Sequence, residues 1–244
     1  EILLNGALTK TPSVFAHGLH FRGTNCAVGS LIINGFGGYG ILIDGTNATG
    51  NTVAGCFLGV DPTGTLAVTN GNSPIAINTG ASSNFIGGSV AAGRNIISGS
   101  ALYGVVIRNP GTKNNLVRGN FIGLNATGDA ALPNKYSGVV ISDGAQSNLI
   151  GGTLSGDRNV ISGNNSDGVE IFGVNTSGNL VQGNYIGLNA AGSGAISNAY
   201  SGVDIYSGAS GNIIGGEVAG AGNVISGNGA SGVNLNGAGT IHTL

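Results

Sequence analysis

Apolar residues in this chain come in short alternating runs that are separated by glycine and asparagine. The motif Gly-Val-x-Ile begins at Gly104, Gly138, Gly168 and Gly202, and each copy is followed by two further β-branched runs. Alternation within Val-x-Ile places Val and Ile on one face of a strand and x on the other. No segment sustains a period of 3.6 residues, which excludes a helical solenoid. The pattern therefore predicts short strands in groups of three.

These groups repeat with a period of 64 residues. Matching segments begin at Asn84, Asn148 and Asn212, and a second matching set begins at Asn51, Asn115 and Asn179. Each 64-residue unit holds two groups of three runs, so one unit corresponds to two coils of a solenoid with parallel strand pairing. We predict an all-β parallel β-helix of about eight coils. We expect residues 1–244 to form a single domain that belongs to a longer repeat array.

Asparagines and loops follow the same repeat. One asparagine per coil forms a series whose members are 31 or 33 residues apart: Asn84, Asn115, Asn148, Asn179 and Asn212. A second series comprises Asn95, Asn120, Asn159, Asn184 and Asn223. Stacked side-chain amides can hydrogen-bond along a solenoid, so both series are predicted to be structural. Longer loops alternate between two corners, at 87–94, 151–158 and 215–222 in one set of coils and at 123–137 and 187–201 in the other.

Composition limits the classes of function. Charged residues make up 7% of the chain, and the net charge is −2. The eight basic residues are scattered singly, which argues against nucleic-acid binding, and no apolar run approaches the ~18 residues of a membrane span. The first residues lack the basic region of a signal peptide, so we expect such a peptide to be absent or removed. Cys26 and Cys56 make no disulfide framework and are predicted to be buried free thiols.

The segments Asn-Leu-Ile-Gly-Gly at 148–152, Arg-Asn-Val-Ile-Ser-Gly-Asn at 158–164 and Gly-Val-Glu-Ile at 168–171 carry a resemblance. Together with 178–192, they resemble the right-handed parallel β-helix repeats of bacterial surface and secreted proteins, the pectate-lyase-like solenoid superfamily. The resemblance covers nearly the whole chain. It implies a right-handed helix and contact with polysaccharide. The Asn-Thr-Asp, Asp-Asp and Gly-His-Gly motifs of polygalacturonases and the Asp-rich calcium cluster of pectate lyases are missing, and fold alone does not establish function.

Alignment of the Val-x-Ile strands brings one acidic patch together on the outward face. Glu170 falls beside Asp204, one coil apart, with Phe172 and Tyr206 next to them and Asp167 near. Carboxylates ~5 Å apart suit a retaining glycosidase, and aromatic rings suit sugar stacking. Two solvated carboxylates without chemistry, or a sugar or cation site without catalysis, are the alternatives. A lyase is disfavoured because Arg108 lies two coils away.

The same outward column contains an apolar stripe in the earlier coils. Its members are Leu42, Ala76, Val106 and Val140, bordered by Tyr39, Tyr103 and Tyr136. A continuous apolar stripe can mark an interface, although ordinary β-strand surface is an equal alternative. Neither end of the sequence shows a capping helix, so we also expect end-to-end association of exposed strands.

The sequence favours a non-catalytic, extracellular or cell-surface bacterial protein that is structural or adhesive, contacts glycans or associates with itself. The alternative is a polysaccharide hydrolase or lyase that acts on the outer sheet. His17 and His20 show no metal-ligand spacing with other residues, and we expect neither a metal nor a cofactor.

Overall fold

A computed structural model of the chain describes residues 2–7 and 15–243, with side chains up to residue 240. Within this part of the chain, 24 strands form three parallel sheets of eight strands each. Each strand pairs with the equivalent strand of the next coil, and the chain visits the three sheets in turn. The structure is a right-handed parallel β-helix of about eight coils, as the sequence predicted.

The strands follow the chain in this order: β1 (Ile2–Asn5), β2 (Leu19–Phe21), β3 (Ala27–Gly29), β4 (Leu31–Asn34), β5 (Ile41–Asp44), β6 (Thr52–Ala54), β7 (Phe57–Leu58), β8 (Ile75–Asn78), β9 (Phe85–Gly87), β10 (Ile96–Ile97), β11 (Val105–Arg108), β12 (Leu116–Arg118), β13 (Phe121–Ile122), β14 (Val139–Ser142), β15 (Leu149–Gly151), β16 (Val160–Ile161), β17 (Val169–Phe172), β18 (Leu180–Gln182), β19 (Tyr185–Ile186), β20 (Val203–Tyr206), β21 (Ser210–Ile214), β22 (Val224–Ile225), β23 (Val233–Leu235) and β24 (Ile241–Thr243). Two short 3₁₀ helices, Ala91–Gly93 and Ser155–Asp157, complete the described elements.

The first sheet contains the Val-x-Ile strands, in the order β2-β5-β8-β11-β14-β17-β20-β23. The second sheet runs from β3 to β24, and the third sheet runs from β1 to β22. The first Val and the Ile of each Gly-Val-x-Ile motif in β11, β14, β17 and β20 point into the solenoid and are 0% exposed. These side chains share one apolar core with the inward residues of the other two sheets.

The glycine of Gly-Val-x-Ile is required by close packing between coils. A Cβ atom at Gly168 would lie 2.6 Å from the carbonyl oxygen of Gly202 and 2.6 Å from the side chain of Ile186. A methyl group cannot be accommodated at that distance from backbone, because the interior is close-packed. The motif therefore marks the corner where the chain enters the first sheet.

Both predicted asparagine series form continuous hydrogen-bonded ladders. In the first ladder, the Asn115 side-chain amide donates to Oδ1 of Asn148 at 2.9 Å, and in the second, Asn120 donates to Asn159 at 3.0 Å. A third ladder, which the sequence analysis missed, joins Asn134, Asn164, Asn198 and Asn228. Its members alternate between a long loop and a tight turn, so no single sequence motif contains them.

The long loops alternate between two corners, as the 64-residue repeat predicts. One set links the second sheet to the third, and the other links the third sheet to the first. Parallel strands lie about 4.8 Å apart, so a loop that recurs at the same corner every second coil has about 10 Å of axial space.

The two cysteines are free, but their environments differ. Cys56 is buried, and burial raises the pKa of its thiol. Cys26 is exposed, which corrects the expectation that both thiols are buried. It lies in a coil near the described N-terminal end, where fewer neighbouring residues cover the sheet.

Candidate functional site

The acidic patch predicted from the sequence lies on the outer face of the first sheet. Glu170 on β17 pairs in register with Asp204 on β20, and Phe172 pairs with Tyr206 two positions along. Neighbouring strands place such side chains about 5 Å apart at their origins. The Phe172 and Tyr206 rings stack, with centroids 5.1 Å apart and planes inclined by 16°. Two carboxylates thus stand beside a pair of stacked rings.

Glu170 is half-buried and held by two hydroxyl groups. The Tyr206 hydroxyl donates to Oε1 at 2.5 Å, and the Ser137 hydroxyl donates to Oε2 at 2.8 Å. Burial raises the pKa of Glu170, the two hydrogen bonds oppose this rise, and the negative charges of Asp167 and Asp204 add to it. The net effect favours the protonated acid, which is the form that can donate a proton to a bound molecule.

Asp204 and Asp167 complete the acidic patch. Asp204 accepts a hydrogen bond from the Asn234 side chain at 2.9 Å. Burial, together with the negative charge of Asp167, raises the pKa of Asp204. Asp167 is buried and accepts hydrogen bonds from the backbone N–H of Ser201 at 2.8 Å and from the Ser166 hydroxyl at 3.1 Å. Asp167 is therefore fixed in place, where its charge acts on both of the other carboxyl groups.

Tyr206 in the acidic patch and Tyr103 beside the apolar stripe remain neutral hydrogen-bonding groups. Burial and the adjacent Glu170 raise the pKa of Tyr206. Burial and the same carboxylate also raise the pKa of Tyr103. Both phenols consequently keep their protons under ordinary conditions, and Tyr206 remains a donor to Glu170.

The apolar stripe forms a covered floor next to the acidic patch. Leu42, Ala76, Val106 and Val140 are between 0% and 7% exposed, and Tyr39, Tyr103 and Phe172 pack against them. The sequence placed these four residues on the outward face, and the structure shows that neighbouring side chains cover them there. Tyr39 and Tyr103 lie two residues before β5 and β11, the strands that carry Leu42 and Val106, and Phe172 lies on the strand next to Val140.

Two hollows adjoin the acidic patch on the same face. The first, of about 240 Å³, is lined by Tyr39, Tyr103, Arg108 and Phe172 among others. Within it, the Arg108 guanidinium donates to the Tyr39 hydroxyl at 3.0 Å, while Nε of Arg108 is buried without a hydrogen-bond partner. The second hollow, of about 380 Å³, lies at the amino-terminal edges of β17, β20 and β23 and includes Asp167 and Asp204 in its lining. Asp167 and Asp204 therefore line the second hollow, Phe172 lines the first, and Glu170 lies on the same face without lining either.

The sequence did not predict the roles of Ser137 and Arg108 in this region. Ser137 immediately precedes the Gly-Val-x-Ile motif of the preceding coil, and Arg108 ends its strand. The outward position of Arg108 was visible from the aligned strands, whereas Ser137 lies before its strand and in neither outward column. The atoms that both residues contact belong to other coils. Across the residues that the structure describes, no group of three or more His, Cys, Asp or Glu side chains is placed to hold a metal ion.

The comparison with solved structures places the chain among parallel β-helix proteins. The periplasmic alginate epimerase AlgG is similar in structure, with a TM-score of 0.58 and 16% identity, over 93% of this chain and 48% of that one. A single-site variant of the same epimerase gives a TM-score of 0.65, again with 16% identity, over 93% of this chain and 46% of that one. This chain thus spans less than half the length of these structures.

No protein-family model matches the sequence, and no curated protein matches it either. The likeness to the epimerase structures therefore concerns the fold. Within the described part of the chain, no helix is long and apolar enough to cross a membrane.

Proposed function

We propose that this chain binds a polysaccharide along the outer face of the first sheet and hydrolyses a glycosidic bond at Glu170 and Asp204. The observation that carries the proposal is the environment of Glu170. Its carboxyl group is half-buried, its pKa is raised, and it lies beside a second carboxyl group and a stacked aromatic pair. An acid and a second carboxylate are the two groups that glycoside hydrolysis needs.

In this mechanism, protonated Glu170 donates its proton to the glycosidic oxygen as the bond to the leaving sugar breaks. The carboxylate of Asp204 attacks the anomeric carbon, and the resulting glycosyl ester is hydrolysed by water that Glu170 then deprotonates. The register of β17 and β20 starts the two side chains about 5 Å apart at their Cα atoms, and the retaining reaction proposed here requires carboxyl groups about 5–5.5 Å apart. Phe172 and Tyr206 provide a flat apolar surface for a sugar ring.

We prefer this hydrolase role, the alternative named from the sequence, to the non-catalytic structural or adhesive role that the sequence favoured. Isolated surface carboxylates would be solvated and would keep ordinary pKa values, whereas Glu170 is partly removed from water. The structural neighbours support the same choice, since alginate epimerase acts on a polysaccharide. Their periplasmic location also supports a secreted or cell-envelope location for this chain.

The proposal is tested by depolymerisation assays on alginate, pectin and a neutral xylan. Two products are measured: new reducing ends, and unsaturated uronate by its absorbance. We expect new reducing ends without unsaturated product on at least one polymer. Glu170→Gln should lower this rate about 10²–10⁴-fold, the usual contribution of a general acid. Glu217→Gln is the matched control because Glu217 is exposed and lies in a different loop; it should leave the rate unchanged.

Tyr206→Phe gives a second readout of the same site. The Tyr206 hydrogen bond lowers the pKa of Glu170, so its removal should move the basic limb of the pH–rate profile to higher pH. Equal rates for Glu170→Gln and Glu217→Gln, or unsaturated products alone, would contradict hydrolysis at this site. A folded chain that releases no reducing ends from any of the three polymers would also contradict it.

A further inference from the structure

A cleft separate from the two hollows lies over the third sheet, on a different face of the solenoid from Glu170. It has a volume of about 410 Å³ and is walled by both sets of long loops. Ser89 and Ser155 come from the loops that lead into the third sheet, and Thr127 comes from a loop that leaves it. The cleft also contains Arg94 and Arg158, and its lining includes no Asp or Glu side chain.

Each of these arginines is stacked on an aromatic ring of the following coil. The Arg94 guanidinium carbon lies 4.1 Å from the centre of the Phe121 ring, and that of Arg158 lies 4.0 Å from the centre of the Tyr185 ring. Stacking holds a guanidinium plane in place and leaves its N–H edge free to form paired hydrogen bonds with an anionic group. Both pairs recur at the 64-residue period, so the two guanidinium groups are two coils, or about 10 Å, apart.

The positive charges in the cleft are not neutralised by the described residues. Neither Arg94 nor Arg158 forms a salt bridge within the described part of the chain. The nearby Asp157 is held by Arg118 at 3.3 Å and by the Ser89 hydroxyl at 2.5 Å. Nε of Arg94 is buried without a hydrogen-bond partner, whereas Nε of Arg158 donates to the Gly183 carbonyl at 3.2 Å. Desolvated, unpaired cations of this kind favour an anionic ligand.

We propose that this cleft binds an acidic polysaccharide that runs along the solenoid axis, with acidic groups of the chain contacting Arg94 and Arg158. One carboxylate or sulfate cannot reach two guanidinium groups about 10 Å apart, so the ligand carries separated negative charges in a linear array. Each strand of a nucleic-acid duplex carries a phosphate about every 3.4 Å along the helix axis, a denser charge than two arginines about 10 Å apart would neutralise. A glycan with an acidic group on alternate or successive sugars fits the sparse charge better. The cleft is separate from the first sheet, so the proposal does not depend on catalysis at Glu170.

The test is isothermal calorimetry in the Glu170→Gln background, which keeps the polymers intact if the first sheet is catalytic. The probes are polygalacturonate, its fully methyl-esterified form, dextran sulfate and a single-stranded oligonucleotide. The ester has the same sugar backbone as polygalacturonate, with a methyl group in place of each negative charge, so we expect binding of the acid form and loss of binding by the ester. Dextran sulfate distinguishes sulfate from carboxylate recognition.

Arg94→Gln and Arg158→Gln should each weaken binding of the acidic glycan about tenfold, and the double variant about a hundredfold. Lys113→Gln removes one exposed positive charge elsewhere and should leave the affinity unchanged. Ser155→Asp adds a negative charge at the exposed rim without touching either stacked pair. It should also weaken binding of the acidic glycan. This variant tests the proposal even if the arginine variants fold poorly.

The proposal is overturned if the ester binds as well as the acid, or if the double variant and Ser155→Asp both retain the parent affinity. Tighter binding of the oligonucleotide than of either acidic glycan, with the same dependence on Arg94 and Arg158, would identify a nucleic-acid site instead. Cleavage assays on the wild-type chain are independent of these results, so failure of hydrolysis and failure of this cleft can be told apart.

Discussion

The outer face of the first sheet has two halves that share one register and differ in chemistry. In the earlier coils, the outward column carries Leu42, Ala76, Val106 and Val140, which are buried under aromatic rings. In the later coils, the same column continues with Glu170 and Asp204. Val140 and Glu170 are direct neighbours on adjacent strands. A core-like surface thus changes to an acidic patch within one coil.

The contrast shows that the inward and outward columns of a solenoid are under different constraints. Inward positions must be apolar and of similar size in every coil, because they share one close-packed interior. Outward positions tolerate either chemistry, because the backbone pairing is the same for both. Their burial depends on which rings lie over them, and this allows a carboxyl group with a raised pKa to form on a regular sheet.

The largest effect is expected at an inward position next to the acidic patch. Val169→Asp places a charge in the core, where no cation or hydrogen-bond donor can pair with it, and should lower the free energy of unfolding by about 3–5 kcal/mol. Chemical denaturation monitored by circular dichroism measures this loss. Val169→Ala, which removes volume without adding charge, is the control and should cost less. Similar losses for the two variants would mean that position 169 is not as enclosed as the structure indicates.

An intermediate effect is expected where the two halves meet. Val140→Asp extends the acidic patch by one coil into the apolar half and should cost about 1–3 kcal/mol, because Val140 is 2% exposed. The cost should be lower than for the inward change, because partly buried side chains cover this position and the shared core does not enclose it. The new negative charge beside Glu170 should also raise the pKa of Glu170 further. Denaturation and NMR titration of Glu170 measure the two effects. Val140→Asn, which is polar but uncharged, should leave the Glu170 titration near its wild-type position.

The smallest effect concerns pH. The pKa of Glu170 is raised in the folded state, so the folded chain binds more protons than the unfolded chain between the ordinary value of 4.5 and the raised value. Stability is therefore expected to fall as pH rises through this interval, by less than about 1.4 kcal/mol per pH unit, the limit for one proton. Asp204 acts in the same direction from its own ordinary value of 3.8.

Denaturation at a series of pH values compares the wild type with Glu170→Gln. The variant should lose the Glu170 part of this dependence and be relatively more stable at neutral pH, because it buries no charge. An unchanged pH profile would show that the Glu170 carboxyl group titrates normally and would remove the distinction between the acidic patch and an ordinary solvated surface.

Much of the fold could be predicted because the repeat forces equivalent residues into equivalent places. Alternation in Gly-Val-x-Ile identified the inward residues of β11, β14, β17 and β20, and the same alignment put Glu170 beside Asp204. The third asparagine ladder was missed because Asn134 and Asn164 occupy a loop and a turn that share no motif. The exposed position of Cys26 was missed because it depends on the place of the following strand, β3, at the end of the second sheet.

The sequence by itself determined the solenoid, its register and its inward core, since strand alternation and a 64-residue period depend only on the order of residues. Only the tertiary structure decided the chemistry of the outer surfaces. The hydroxyl groups that hold Glu170 come from residues 33 and 36 positions away, on neighbouring coils. The rings under Arg94 and Arg158 also belong to the next coil. Burial and charge at an outward side chain arise from neighbours that the winding of the chain brings together, and the order of residues alone does not state those distances.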